Sequence, residues 1–127
     1  MNTSTKKEGE PFYITTTLPY VNADPHIGFA LEIVTADIIA RYKKLTGHDV
    51  FFNTGTDEHG VKIYRKAIEV GKSPQEYVDE YAQKFKDLKE PLGLSQNIHF
   101  IRTSDPLHKG GGHVDILLRP SSRSLTS

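Results

Sequence analysis

Apolar positions along the chain alternate between short strand-like runs and longer helix-like ones. Phe12-Tyr-Ile-Thr-Thr-Thr17 is aromatic and β-branched, the composition of a buried strand, and Pro19 with the Asn22-Ala-Asp-Pro25 cluster ends it with turn chemistry. From His26 to Leu45 the period becomes helical. Ile27, Leu31, Val34, Ile38, Tyr42 and Leu45 recur at spacings of three and four and predict the packed face, with Ile33, Ala36 and Ile39 adding a second apolar side. A helix apolar on two sides is expected to lie against a sheet, and Gly47 suits its exit. Asp49-Val-Phe-Phe-Asn-Thr54 predicts the next strand, so residues 12–54 form a strand–helix–strand unit. Such a unit favours a right-handed crossover and a parallel pair.

A short helix is expected from Val61 to Val70, ending at Gly71. Ser73-Pro-Gln-Glu76 is a capping box: Ser at the N-cap, Pro at the first helical position, Glu three residues after the Ser. Tyr77, Tyr81, Phe85, Leu88 and Leu92 form the apolar stripe of the helix it starts, which Pro91 and Gly93 are expected to close. His99-Phe-Ile-Arg102 predicts a third strand, and Ser104-Asp-Pro106 suits a further helix start. The period then fails. Residues 1–10 read as a polar lead-in, 11–109 as one partial domain, and 110–127 as a Gly/Ser/Arg/Pro-rich tail without packing periodicity.

Composition narrows the classes. At 127 residues the chain supports one domain, and sixteen basic and sixteen acidic residues cancel, leaving no general field to attract nucleic acid. It has no cysteine, which excludes disulfides and Cys-based zinc sites and fits a cytoplasmic location. No apolar run approaches the ~20 residues of a membrane span.

Two segments can carry chemistry. His26 and Gly28 stand at the start of the first helix, where unpaired N–H groups and the helix dipole favour a phosphate. An imidazole there can donate to a phosphate oxygen that gains charge during displacement. His26 could equally serve only to cap the helix. The second segment, Thr54-Gly-Thr-Asp-Glu-His-Gly60, sets two acids and a His between glycines at a strand end, where ligand clefts form in α/β sheets. A protein-built metal site from His26, Asp57 and His59 is not expected, since these types share no ligand spacing. Lys43, Lys44, Lys62, Arg65 and Lys66 read as solvated helix faces.

Pro19-Tyr20, Asn22, Pro25, His26 and Gly28 follow the spacing of the His-Ile-Gly-His signature, and the chain resembles class I aminoacyl-tRNA synthetases there. Leu18-Pro-Tyr20 joined to Thr54-Gly-Thr-Asp-Glu-His-Gly60 is narrower and is similar to methionyl-tRNA synthetases. The likeness continues through Ala36-Asp37, Arg41-Tyr42, Ser73-Pro-Gln-Glu-Tyr77 and Phe100-Ile-Arg-Thr103, covering roughly residues 11–108.

The resemblance implies a Rossmann-like α/β fold, the amino-terminal half of a class I catalytic domain, with a parallel sheet flanked by helices. It implies methionine activation by ATP, carried with Mg2+, to methionyl-adenylate, then charging of initiator and elongator methionine tRNAs. His26 and Gly28 match the catalytic signature, Tyr20, Asn22, His26 and Gly28 the ATP contacts, and Leu18, Tyr20 and Asp57 the methionine pocket. Asp57 would pair with the substrate ammonium. Phe29 departs from the pattern, which usually has a second His, and a phenyl ring cannot donate to phosphate. A Lys-Met-Ser-Lys-Ser loop is absent from this sequence, so the chain reads as a truncated or frame-shifted copy, inactive alone, with sequence after Lys109 that is not native. A non-catalytic nucleotide or amino-acid binding module and a small nucleotidylyltransferase are the other readings. Synthetases for isoleucine, leucine, valine or cysteine are the alternatives on substrate.

Overall fold

The β-branched and aromatic runs form three strands, and the periodic segments form helices between them. A computed structural model describes residues 9–111. The order is β1 (Pro11–Thr15), α1 (Ile27–Leu45), β2 (Asp49–Thr56), α2 (Val61–Glu69), α3 (Pro74–Asp87) and β3 (His99–Arg102). The sheet runs β1-β2-β3, all parallel, with Tyr13 opposite Phe51, Thr15 opposite Asn53 and Thr56 opposite Arg102. This is the expected parallel α/β arrangement, and its C-terminal strand ends share one edge, where ligands bind in open α/β sheets. Of the segment 110–127, Gly110 and Gly111 lie in a helical stretch over 106–111, and the rest falls outside the described residues, as do residues 1–8 of the lead-in.

β2 runs two residues further than expected, so Gly55 and Thr56 belong to the strand. A Cβ on Gly55 would collide with the Ile101 carbonyl, so glycine here permits the close approach of β2 and β3.

The packed face of α1 differs from the predicted one. Of the expected first face, Ile27, Leu31, Ile38, Tyr42 and Leu45 are exposed, at 61–87 %, and Val34 is partly buried. Ile33 and Ala36 of the expected second side are buried together with Phe29 and Ala40. The buried stripe has the same helical spacing, turned about the axis. Its two alanines let the helix approach β2, where Phe52 is 4 % exposed, and Phe29 meets Phe85 of α3 edge-to-face at 5.1 Å. Asp37 joins this face as a buried carboxylate. It accepts from Arg41 Nε at 2.8 Å and from the Ser95 amide at 3.2 Å, tying α1 to the segment before β3.

At the start of α3 the capping box forms as predicted. Ser73 Oγ accepts from the Glu76 amide at 3.2 Å, and the Glu76 carboxylate accepts from the Ser73 amide at 2.9 Å. The Ser73 hydroxyl and amide hold the Glu76 carboxyl below the usual carboxylate range. Replacing Ser73 by alanine removes one partner of the box and is expected to cost about 1 kcal/mol in urea unfolding. Tyr77, Val78, Ala82 and Phe85 turn inward, and burial together with the Tyr81 hydroxyl pushes the Tyr77 phenol up to about 12. α3 ends at Asp87 rather than at Pro91. Residues 88–93 continue as successive turns, because the residue before a proline disfavours helical geometry.

Gly47 takes φ of +91° just past the α1 C-cap Thr46, the left-handed exit a side chain resists. Among the described residues no helix is long and apolar enough to cross a membrane.

Candidate functional site

The two chemistry-bearing loops meet at the C-terminal ends of β1 and β2. Beyond β1 the chain pairs again with the β2 end: Asp57 N donates to Pro19 O at 2.9 Å, Val21 N donates to Asp57 O at 3.2 Å, and Tyr20 and Asp57 form a parallel bridge. Tyr20 and Asp57, 37 positions apart in sequence, are thus fixed side by side through their backbones. Gly60 completes the contact. Its φ is +142°, and a Cβ there would collide with the Tyr20 hydroxyl, so only glycine fits.

His26 is the N-cap of α1. Its Nδ1 accepts from the Gly28 amide at 3.1 Å, which leaves Nε2 as the protonated donor of a neutral ring. A Cβ on Gly28 would sit 2.9 Å from His26 Cε1, so the space that glycine provides is taken by the imidazole itself. His26 therefore both caps the helix and keeps a donor.

A cleft of about 300 Å3 lies in front of this helix start, lined by Tyr20, Asn22, His26, Gly28, Phe29 and Glu32 among others. All four residues expected from the sequence to contact ATP line it. Of the residues expected from the sequence to contact methionine, Tyr20 lines the cleft, while Asp57 lies beside Tyr20 across the bridge. Leu18, half-buried, directly precedes the Pro19–Asp57 hydrogen bond and does not line the cleft. Glu32 of α1 fixes the exit of β1 by accepting from the Thr17 amide at 2.6 Å and its hydroxyl at 2.9 Å. A larger cavity, about 390 Å3, is lined by Ala40, Lys44, Val50 and Phe52 near the opening of β2. It is at the wrong end of the sheet for a strand-end site and carries neither motif.

Phe29, at the fourth signature position, is 4 % exposed and packs on Phe85, so the core and the cleft wall share it. The donor that the family pattern expects here is replaced by packing.

Behind Asp57 lies a polar cluster the sequence did not reveal. The Glu58 side chain is fully closed off from solvent. It accepts from Thr56 Oγ1 at 3.0 Å, from Arg102 Nε at 2.7 Å and from the Ser104 hydroxyl. Arg102 reaches on to Asp79 of α3 at 2.5 Å. Burial lowers the Arg102 pKa, but the Glu58 and Asp79 carboxylates outweigh it and the net shift is upward. Arg102 in turn holds the Asp79 carboxyl below its ordinary value. Thr103, 8 % exposed, closes the cluster against the Asp57 loop. The available signal was an arginine at the end of β3, one strand away from an acid-rich strand end, with the partner 44 residues distant.

Asp24, in the loop that carries Asn22, pairs with Lys84 of α3 at 2.7 Å and raises its pKa. The loop is thereby anchored to α3. His59 Nε2 lies 2.9 Å from the Thr103 carbonyl, to which it donates. Among the described residues no three His, Asp or Glu side chains gather as metal ligands would.

A sequence model of the class I tRNA synthetases (M) matches residues 12–113. The chain is 57 % identical over 97 residues to the methionine–tRNA ligase of Thermotoga maritima, covering 76 % of this chain and 15 % of that protein. With the enzyme of the same name from Listeria monocytogenes it shares 52 % over 103 residues, 81 % of this chain and 15 % of the relative. The Mycobacterium tuberculosis methionyl-tRNA synthetase, solved in complex with methionyl-adenylate, superposes with a TM-score of 0.75 at 40 % identity. That match spans 80 % of this chain and 20 % of the solved one. The chain thus matches only 15 % of the length of these curated relatives. By motif, strand-end geometry and extended similarity, the chain belongs to the methionine group of class I tRNA synthetases.

Proposed function

We propose that this chain forms the part of a methionine–tRNA ligase that holds methionine and ATP for adenylate formation. The observation that carries the proposal is the Tyr20–Asp57 bridge, which holds Asp57 beside Tyr20 of the His26-lined cleft. In this reading Leu18 and Tyr20 contact methionine, and the Asp57 carboxylate pairs with its ammonium group. Tyr20, Asn22, His26 and Gly28 contact ATP. ATP enters as its magnesium complex, because Mg2+ keeps phosphates and water as ligands and needs no protein cage.

The methionine carboxylate oxygen attacks the α-phosphorus. The bond from that phosphorus to the bridging oxygen breaks, and pyrophosphate leaves with the electron pair. His26 Nε2 donates to a phosphate oxygen as charge builds, a preorganised contact that needs no covalent enzyme intermediate. A ribose hydroxyl of the tRNA 3′ end then attacks the adenylate carbonyl and releases AMP, charging initiator and elongator methionine tRNAs in the cytoplasm. Support comes from the M. tuberculosis relative, whose solved complex contains methionyl-adenylate.

Methionine-dependent ATP–pyrophosphate exchange tests the proposal. Exchange above a blank without methionine supports catalysis by the chain. Binding of both ligands without exchange assigns it the binding part only, and binding of neither contradicts the proposal.

A further inference from the structure

Thr103 belongs to none of the assigned site residues, yet each of its polar atoms engages the segment that carries Asp57. Its amide donates to Thr56 O at 3.2 Å. Its hydroxyl accepts from the Glu58 amide at 2.8 Å and donates to Asp57 Oδ1 at 3.4 Å. Its carbonyl accepts from His59 Nε2 at 2.9 Å. One hydroxyl proton and one lone pair account for both hydroxyl contacts, so they hold simultaneously. The His59 amide adds a second donor to Asp57 Oδ1, at 3.3 Å. Oδ2 of Asp57 accepts no hydrogen bond among the described residues.

We propose that Thr103 is a positioning residue for the amino-acid substrate: its hydroxyl holds Oδ1 of Asp57 and so sets the direction in which Oδ2 meets the substrate ammonium. The proposal rests on the assignment of Asp57 to methionine. The physical advantage is preorganisation. A carboxylate already held in one rotamer loses little side-chain freedom when the ammonium arrives. The hydroxyl itself is kept in place by the Glu58–Arg102–Asp79 cluster, which joins the ends of β2 and β3 to α3. Thr103 touches neither reacting atom, and its effect passes entirely through Asp57.

The test titrates the 127-residue chain with L-methionine and separately with ATP, followed by amide NMR, in the wild type and in Thr103→Val, Thr103→Ser and Asp57→Asn. Thr103→Val keeps the shape and removes the hydroxyl. It is expected to weaken methionine about tenfold and speed exchange of the Glu58 amide about tenfold while leaving ATP unchanged, and Thr103→Ser restores both altered readings. Faster amide exchange with unchanged methionine affinity would make Thr103 merely structural and overturn the proposal. If Asp57→Asn leaves methionine binding intact, the assignment of Asp57 fails and the proposal falls with it. If Asp57→Asn weakens binding and Thr103→Val does not, only the proposal fails. The χ1 couplings of Asp57 in the unliganded wild type give a reading that needs no variant to fold. A single rotamer is expected, and rotamer averaging overturns the proposal.

Discussion

Replacing Glu58 by alanine is expected to lower the unfolding free energy by about 3 kcal/mol, because it leaves the Arg102 guanidinium largely buried beside an empty acceptor site. Arg102 has a side-chain exposure of 17 % and retains Asp79, which keeps the expected loss at the lower end for a broken buried pair. Small domains are stable by roughly 5–15 kcal/mol, so this loss removes between about one fifth and three fifths of the total. The Thr56 and Ser104 hydroxyls lose their acceptor as well. A urea melt of Glu58→Ala against the wild type measures the effect. A change below about 1 kcal/mol would mean that water replaces the carboxylate without cost. Glu58→Gln separates the contributions, since it keeps the shape and one acceptor oxygen but removes the charge.

Asp57→Asn is expected to weaken methionine binding by roughly 10- to 100-fold, the range of a charge-assisted contact of ~1.5–3 kcal/mol. The fold should hardly notice. Asn keeps a carbonyl oxygen, which can still accept from the His59 amide and the Thr103 hydroxyl. The substitution therefore isolates charge from structure. A methionine analogue lacking the amino group supplies the complementary control: it should bind wild type and variant alike. An equal loss for the analogue would show that Asp57 acts on the shape of the pocket rather than on the ammonium.

Local chemistry decided which parts of this fold were legible. The capping box at Ser73–Glu76 was readable because all its partners lie within four residues and only a helix start satisfies them. β3 emerged over the expected span, His99–Arg102. The packed face of α1 was misread for a physical reason. The helix is apolar on nearly every side, so periodicity fixes the spacing of a stripe but not which stripe meets the sheet. The large side chains Leu31, Ile38 and Leu45 suggested one phase, whereas close packing on β2 selected the phase with Ala36 and Ala40.

The site divided along the same line. Tyr20, Asn22, His26 and Gly28 gather at one cleft, because the segment after β1 leads directly into the N-terminus of α1. Asp57 joins them through β2, as a strand–helix–strand unit with parallel strands requires. Glu58, Arg102 and Thr103 were not legible as a cluster. Their contacts span 44 to 46 residues, and an acid beside Asp57 carries no local sign of being buried. Nor did the sequence show that Phe29 serves the core, since a phenyl in a polar motif reads first as a lost donor.

The most direct measurement of the central claim is an amide NMR titration of the 127-residue chain, first with methionine and then with ATP and magnesium. The account predicts methionine-induced shifts at Tyr20, Val21 and Asp57 to His59, followed by ATP-induced shifts at Asn22 and His26 to Phe29. Shifts gathered instead around Ala40, Lys44 and Phe52, or no shift at saturating methionine, would contradict it.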